Sequence, residues 1–137
     1  MHCIDVILIK KSELRDLKIS SLLEEGSYKE IEAVELPQNL LAFPKLTPKK
    51  VSSMFGKGIN FVWVNTDYFG GSGDQSAYLA TSTERGNKVI LSSNQYNAIN
   101  TILKEYGVVR NSGLDEFDSI NLGQYRSNID FFLLLKN

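Results

Sequence analysis

The sequence predicts an α+β fold in which a mostly antiparallel sheet carries helices. Two observations lead to this prediction. Residues 59–92 contain three runs rich in β-branched and aromatic residues, and turn sequences such as "TERGN" separate them. Residues 93–106 instead repeat apolar residues at helical spacing before Gly107. Because the chain has 137 residues, we expect a single domain spanning 1–137.

Five segments are predicted to form strands. "CIDVILI" (3–9) is continuously apolar and β-branched, which favours a strand. "INFVWVNTDYF" (59–69) has apolar residues on both faces of its first half, which is typical of a central strand. "SAYLATS" and "KVILSS" follow as further strands. "SYKEIEAVEL" alternates like an edge strand that ends at Pro37, and residues 38–47 are predicted as a loop.

The segment 93–106 is predicted as the main helix, packed on one face of the sheet. Ser92 and Gln95 have the spacing of a capping box. The apolar stripe of this helix consists of Tyr96, Ile99, Leu103 and Tyr106. Shorter helices are predicted near 12–18 and near 47–55, the second because Thr47 and Pro48 form a typical helix start.

The glycine-rich stretch "FGGSGDQSA" (69–77) lies between two predicted strands, so we expect a hairpin turn. At least one glycine should adopt positive φ, and Gln75 should hydrogen-bond backbone at the base of the loop. The stretch lacks the final glycine of the dinucleotide fingerprint and the Lys-Ser/Thr of a P-loop. A phosphate cradle is therefore not expected.

Few residues are available for catalysis. His2 is the only histidine and Cys3 the only cysteine, which is too few for a structural zinc site. A Ser-His-Asp triad or a Cys-His dyad would depend on His2 alone. Cys3 lies in an apolar run, so we expect it to be buried and inert. We predict no catalytic residue, no cofactor and no metal.

The segment "LDEFDS" places Asp115, Glu116 and Asp118 close together. Three interpretations remain open: a solvated turn in which Asp115 caps a short helix, a protein-docking face, and a metal site. Downstream, Tyr125 and Arg126 are residue types favoured as interface anchors, although Arg126 could also pair with a nearby acid.

Charge and hydropathy exclude several partners. The formal net charge is −1, and no basic stripe of the kind that binds nucleic acid is present. No apolar run is long enough to span a membrane, and no leader segment is recognisable. With one cysteine, the chain fits a reducing compartment, so we expect a cytoplasmic protein.

Two segments carry a family resemblance. "TDYFGGSGDQSA" (66–77) and "LDEFDSINLGQYRS" (114–127) resemble a pattern in small bacterial immunity proteins of polymorphic toxin systems. The matching positions are Gly70, Gly71, Gly73, Gln75, Asp115, Glu116, Phe117, Tyr125 and Arg126. The resemblance covers roughly the second half of the chain and implies a cytosolic, non-enzymatic protein that neutralises a cognate toxin by covering its functional site.

The leading hypothesis is therefore a protein-binding module, an immunity protein whose partner is a toxin. We predict that the partner-binding residues are Tyr68, Asp74, Asp115, Glu116, Asp118, Tyr125 and Arg126. The alternative hypothesis is a metal-dependent hydrolase or nuclease that uses the carboxylate cluster.

Overall fold

The computed structural model describes residues 2–14, 33–69 and 72–130 and confirms the α+β class. Its strands form one sheet in the order β2-β3-β1-β4-β5-β6, and every neighbouring pair is antiparallel. The strands are β1 (Asp5–Lys10), β2 (Val34–Leu36), β3 (Leu40–Phe43), β4 (Asn60–Phe69), β5 (Ser72–Thr83) and β6 (Gly86–Ser93).

Strands β1 and β4 form the centre of the sheet. Residues 6–9 of β1 are all 0% exposed, because successive side chains point to opposite faces and both faces are covered. Phe61 and Val62 of β4 are equally inaccessible and belong to core clusters on opposite faces. The strand predicted at 3–9 is present at Asp5–Lys10, and the predicted central position of 59–69 is confirmed.

One face of the sheet is covered by helix α2 (Ala98–Glu105) and by the chain that follows it. Ile99, Ile102 and Leu103 belong to the same core cluster as Val6 and Leu8 of β1. At the end of this helix, the buried Tyr106 hydroxyl accepts from the Lys10 amide at 3.0 Å and donates to the Asn60 carbonyl at 2.7 Å. Burial raises the pKa of Tyr106 far above its usual value, so the hydroxyl remains a donor.

The other face carries helix α1 (Val51–Phe55), which a 3₁₀ turn at Pro48–Lys50 precedes. Val51 is fully buried there, and the predicted helix near 47–55 is confirmed. Of the helix predicted near 12–18, a 3₁₀ turn at Lys11–Leu14 is present, and the rest lies outside the described residues. No helix within the described ranges has the length and apolarity to cross a membrane.

The predicted start of the main helix is wrong. Strand β6 continues to Ser93 and pairs Ser92 with Tyr78, so Ser92 is part of the sheet and caps no helix. The helix begins only at Ala98, and Tyr96 lies before it with 88% of its surface exposed. The capping pattern depends only on neighbouring residues, whereas Ser92 is held in the sheet by pairing with a distant strand. Strand pairing therefore determines the structure of this segment.

The prediction of a loop at 38–47 is also wrong, because residues 40–43 form the fully buried strand β3. Gln38 and Asn39 reverse the chain with φ of 64° and 59°, values that are unusual for residues with a side chain. The Gln38 side chain donates to the Val109 carbonyl at 2.7 Å and accepts from the Val109 amide at 2.8 Å. The edge strand predicted before this turn is confirmed at Val34–Leu36, while residues 27–32 lie outside the described part of the chain.

Candidate functional site

The β4–β5 hairpin defines one end of the sheet, which we call the hairpin end. Its strands stay paired up to Phe69 opposite Ser72, as the hairpin prediction required. Gly73 is needed close to the turn, because a Cβ there would collide with the backbone of Asp67 and Tyr68. Strand alternation then places Asp67 on one face of the sheet and Tyr68 on the other.

On the Tyr68 side lies a cleft of about 130 Å³, which we call the histidine cleft. Its lining consists of His2, Thr66, Tyr68, Gln75, Ile99, Asn100, Asp115 and Phe117. The backbone of His2 pairs with Tyr68, which brings a residue from the start of the chain to the hairpin end. The structure thus brings together two of the predicted binding residues, Tyr68 and Asp115, in one concave site.

The two nitrogens of the His2 ring have different surroundings. Its Nδ1 shares a hydrogen bond of 2.7 Å with Thr66 Oγ1, which also accepts from the Ile4 amide. Its Nε2 is buried and makes no hydrogen bond within the described residues, and the Phe117 ring lies 5.5 Å away. Burial lowers the pKa of His2, since an imidazolium loses hydration there; a backbone interaction with Leu122 opposes the shift.

Gln75 joins the hairpin to helix α2. Its Nε2 donates to the Tyr68 hydroxyl, and its Oε1 accepts from the Ile99 amide in the first turn of the helix, both at 2.9 Å. The capping residue Asn97 makes no side-chain hydrogen bond to the helix, so Gln75 supplies the missing acceptor from a neighbouring strand. The expected bond from Gln75 to backbone exists, but its partner is the helix and not the base of the loop.

The carboxylate of Asp115 is used within the fold. Its Oδ1 accepts from the Asp118 amide at 2.8 Å and caps helix α3 (Glu116–Ser119), as one of the three interpretations predicted. Its Oδ2 accepts from the Asn100 side chain at 3.1 Å, and Asn100 in turn accepts from the Phe117 amide. No group of three or more potential ligands with metal-site geometry occurs among the residues that the structure describes.

The remaining predicted binding residues differ in exposure. Glu116 and Tyr125 are only 7% and 6% exposed, and Tyr125 belongs to the core cluster under helix α2. Asp118 and Arg126 are exposed beside the histidine cleft, and the Arg126 amide donates to Asp130 at 2.7 Å. Only Asp118 and Arg126 of these four present a side chain that a partner can reach without rearrangement of the fold.

The opposite side of the hairpin end carries three carboxylates, Asp5, Asp67 and Asp74, which we call the aspartate face. All three side chains are exposed. Asp67 and Asp74 stand directly opposite each other in the β4–β5 register, and neither has an ion-pair partner in the described part of the chain. Like charges placed opposite each other on neighbouring strands destabilise a sheet.

Asp5 was not identified from the sequence, because only the pairing of β1 with β4 places it beside Asn65. Its Oδ1 accepts from the Trp63 indole at 2.7 Å. Cys3, expected to be buried, is exposed on the same side of the sheet, with its sulfur 4.0 Å from Asp67 Oδ1. That expectation is wrong because β1 begins only at Asp5, and Cys3 joins the fold through an isolated bridge to Ser127.

Comparison with protein-family models, with curated proteins and with solved structures finds no match for this chain. The candidate site therefore rests on its geometry.

Proposed function

We propose that this protein binds a basic protein partner through the hairpin end of its sheet. In line with the resemblance of its second half to immunity proteins, we propose that the partner is a bacterial toxin that the protein neutralises. The observation that carries the proposal is that the carboxylates of Asp67 and Asp74 oppose each other with no ion-pair partner among the residues that the structure describes. This arrangement costs folding stability, and functional surfaces are where a fold tolerates such a cost.

The wider charge distribution supports the same partner chemistry. Asp5 extends the aspartate face onto β1, while Asp118 and the half-buried Asp115 lie on the other side of the hairpin end. A surface of one sign raises the rate at which an oppositely charged partner arrives, and the effect weakens as salt increases. A toxin with a basic cleft, such as a nuclease, would meet complementary charge here.

The proposal places the protein in the cytoplasm. The single cysteine is exposed and cannot form a disulfide within the chain, which suits a reducing compartment. An immunity protein acts where its own toxin would otherwise do damage, and cytoplasmic targets such as nucleic acids fit the acidic surface.

The alternative, a metal-dependent hydrolase, would need Asp115, Glu116 and Asp118 to converge on one ion. Both oxygens of Asp115 accept hydrogen bonds from the protein and Glu116 is buried, so the geometry favours the binding function. Hydrolysis of a phosphodiester that requires Mg²⁺ or Mn²⁺ and disappears in Asp115→Asn would establish the alternative instead.

The test separates folding from binding. We expect Asp74→Asn to raise the free energy of unfolding by about 0.2–1 kcal/mol, because it removes the repulsion with Asp67. The same substitution should slow association with the cognate toxin domain that we propose as the partner, and it should flatten the salt dependence of the rate. Binding kinetics at two salt concentrations and urea denaturation provide the two measurements.

Glu105→Gln is the matched control, because this exposed carboxylate lies at the far end of helix α2 from the hairpin. It loses the same charge and should leave the association rate unchanged. If Asp74→Asn associates as fast as the parent protein at both salt concentrations, the aspartate face is not the binding surface.

A further inference from the structure

A second concavity lies on the same side of the sheet as the aspartate face. It encloses about 300 Å³, and we call it the tryptophan pocket. Its lining consists of Trp63, Ser76, Ala77, Tyr78, Ser92, Ser93 and Asn94. The register pairs Trp63 with Tyr78 and Tyr78 with Ser92, so the pocket spans three neighbouring strands of one rigid sheet.

The aromatic wall of this pocket is fixed in position. The Trp63 and Tyr78 rings stack with their centroids 5.2 Å apart and their planes 27° apart. The Phe61 ring supports Tyr78 from the buried side with a centroid distance of 6.4 Å. The indole nitrogen donates to Asp5 Oδ1 at 2.7 Å, which orients both the ring and the carboxylate.

The polarity of this side of the sheet changes in order along β4 and β5. The buried pair Phe61 and Ala80 is followed by Trp63 with Tyr78, then by Asn65 with Ser76, and then by Asp67 with Asp74. A ligand lying along this ladder meets aromatic rings first, neutral polar groups next and carboxylates last. An arginine side chain has the matching chemistry, because its planar guanidinium stacks on aromatic rings and its charge pairs with carboxylates.

We propose that the tryptophan pocket receives an arginine side chain of the partner, with the guanidinium against the Trp63–Tyr78 wall, whose indole binds the carboxylate of Asp5. This inference rests on the proposed function, since it names the group through which a basic partner is anchored. Buried aromatic and arginine contacts set dissociation rates, whereas exposed carboxylates such as Asp74 mainly set association rates. A nucleotide would also stack on the rings, but its phosphate would face Asp5, Asp67 and Asp74.

The aromatic wall has a second polar group besides the Trp63 indole, the hydroxyl of Tyr78. Within the described residues it makes no hydrogen bond, and burial together with the nearby Asp5 charge raises the pKa of Tyr78. The hydroxyl therefore keeps its proton at neutral pH and can interact with the ligand as a neutral group.

The experiment uses the intrinsic fluorescence of the protein, because Trp63 is the only tryptophan in the chain. Blocked tripeptides Gly-Arg-Gly, Gly-Lys-Gly and Gly-citrulline-Gly are titrated into the full chain. We expect a saturable change with the arginine peptide and about tenfold weaker binding of the citrulline peptide, which keeps the shape but not the charge. The lysine peptide should bind less tightly than arginine, because it lacks the planar group.

Two variants locate the binding. Tyr78→Ala removes one side of the aromatic wall, and Asp5→Asn removes the charge while keeping an acceptor for the indole; each should weaken arginine binding at least threefold. Because Asp5 is exposed, the second variant remains informative if the first does not fold. Tyr96→Ala is the control, since Tyr96 is 88% exposed and does not line the pocket.

The inference is overturned if the arginine and citrulline peptides bind equally or not at all, or if Asp5→Asn binds arginine like the parent. This outcome is distinct from failure of the proposed function. If the peptides do not bind but Asp74→Asn still slows association with the toxin, the function stands and the anchor lies elsewhere. If the arginine peptide binds and the toxin does not, the pocket stands and the toxin is the wrong partner.

Discussion

The two ring nitrogens of His2, the only histidine of the chain, differ in their hydrogen bonding. His2 hydrogen-bonds through Nδ1 to Thr66, while its buried Nε2 has no hydrogen bond within the described residues. Burial is the largest cause that lowers its pKa, the nearby positive charge of Arg126 acts in the same direction, and Asp130 opposes it. The ring is therefore neutral in the folded protein near pH 7.

This environment predicts how stability depends on pH. The pKa of His2 is lower in the folded than in the unfolded chain, where it is about 6.5, so the unfolded chain takes up the proton more readily. The contribution of His2 is complete above pH 6.5 and is lost as the pH falls through the folded-state pKa. We expect the free energy of unfolding, measured with urea, to decrease between pH 7.5 and pH 5.5.

His2→Gln is the control for this prediction, because it removes the titrating group and keeps a polar side chain. The variant should show a smaller decrease over the same pH interval, and the ring of the parent protein should titrate below pH 6.5 in NMR spectra. A parent and a variant with equal pH dependence would show that His2 is not the cause.

At the scale of single elements, helix α2 illustrates how one strand residue sets the start of a helix. The backbone amide of Ile99 lies in the first turn of the helix, where no earlier carbonyl can accept its hydrogen. The acceptor comes from Gln75, a residue of β5, and the same side chain also binds Tyr68. The hairpin, the histidine cleft and the helix are thereby fixed relative to one another.

We expect Gln75→Ala to lower the free energy of unfolding by about 1–2 kcal/mol, because it removes the cap and leaves the Tyr68 hydroxyl without its donor. Gln75→Glu keeps an acceptor at the positive end of the helix and should lose less. Gln95→Ala provides the control, since Gln95 is exposed and its side chain makes no hydrogen bond in the described structure. Equal denaturation midpoints for Gln75→Ala and Gln95→Ala would contradict the capping role.

Strand β6 is an edge of the sheet and exposes a run of apolar side chains. Val89, Ile90 and Leu91 are 46%, 58% and 39% exposed. The register shifts between Leu79 and Ala80, and Ile90 has no partner residue on β5. An edge strand presents unpaired backbone groups to other chains, and bulges and charged side chains are common means of limiting such pairing.

We expect Ile90→Lys to slow self-association on heating while changing the free energy of unfolding by less than about 0.5 kcal/mol. Light scattering during a temperature ramp measures the first quantity. Thr101→Lys is the matched control, because it adds the same charge at an exposed position on helix α2. If both lysine variants scatter light alike, net charge and not the strand edge governs the association.

For the molecule as a whole, local sequence patterns account for the class of the fold and for much of the sheet. Strand β4 and the hairpin after it were predictable, since apolar alternation and glycine-rich turns act over a few residues. Strand β3 was missed because Gln38 and Asn39 turn the chain without glycine, and part of the stabilisation comes from the distant Val109. Hydrogen bonds of this range leave no trace in a local pattern.

The candidate site also contains some features that local sequence patterns predict and others that depend on distant contacts. Asp115 was placed correctly at a helix start, because capping depends on residues three positions apart. The meeting of Asp5 with Trp63 was not predictable, since 58 residues separate them and only the order of strands brings them together. The burial of Tyr125 likewise depends on how the chain after helix α2 packs against the sheet.

The central position of β1 also determines the order in which the molecule can assemble. Strands β4, β5 and β6 follow one another through short connections, so they can pair as soon as they are synthesised. Strand β1 is made before all other described strands, yet its neighbours are β3 and β4, and the latter pairs with it only through residues 62–65. Strand β3 can pair with β1 as soon as residues 40–43 have emerged, but the other edge of β1 stays unpaired until residues 62–65 follow. The earliest strand is thus the one that closes the sheet by joining its two halves.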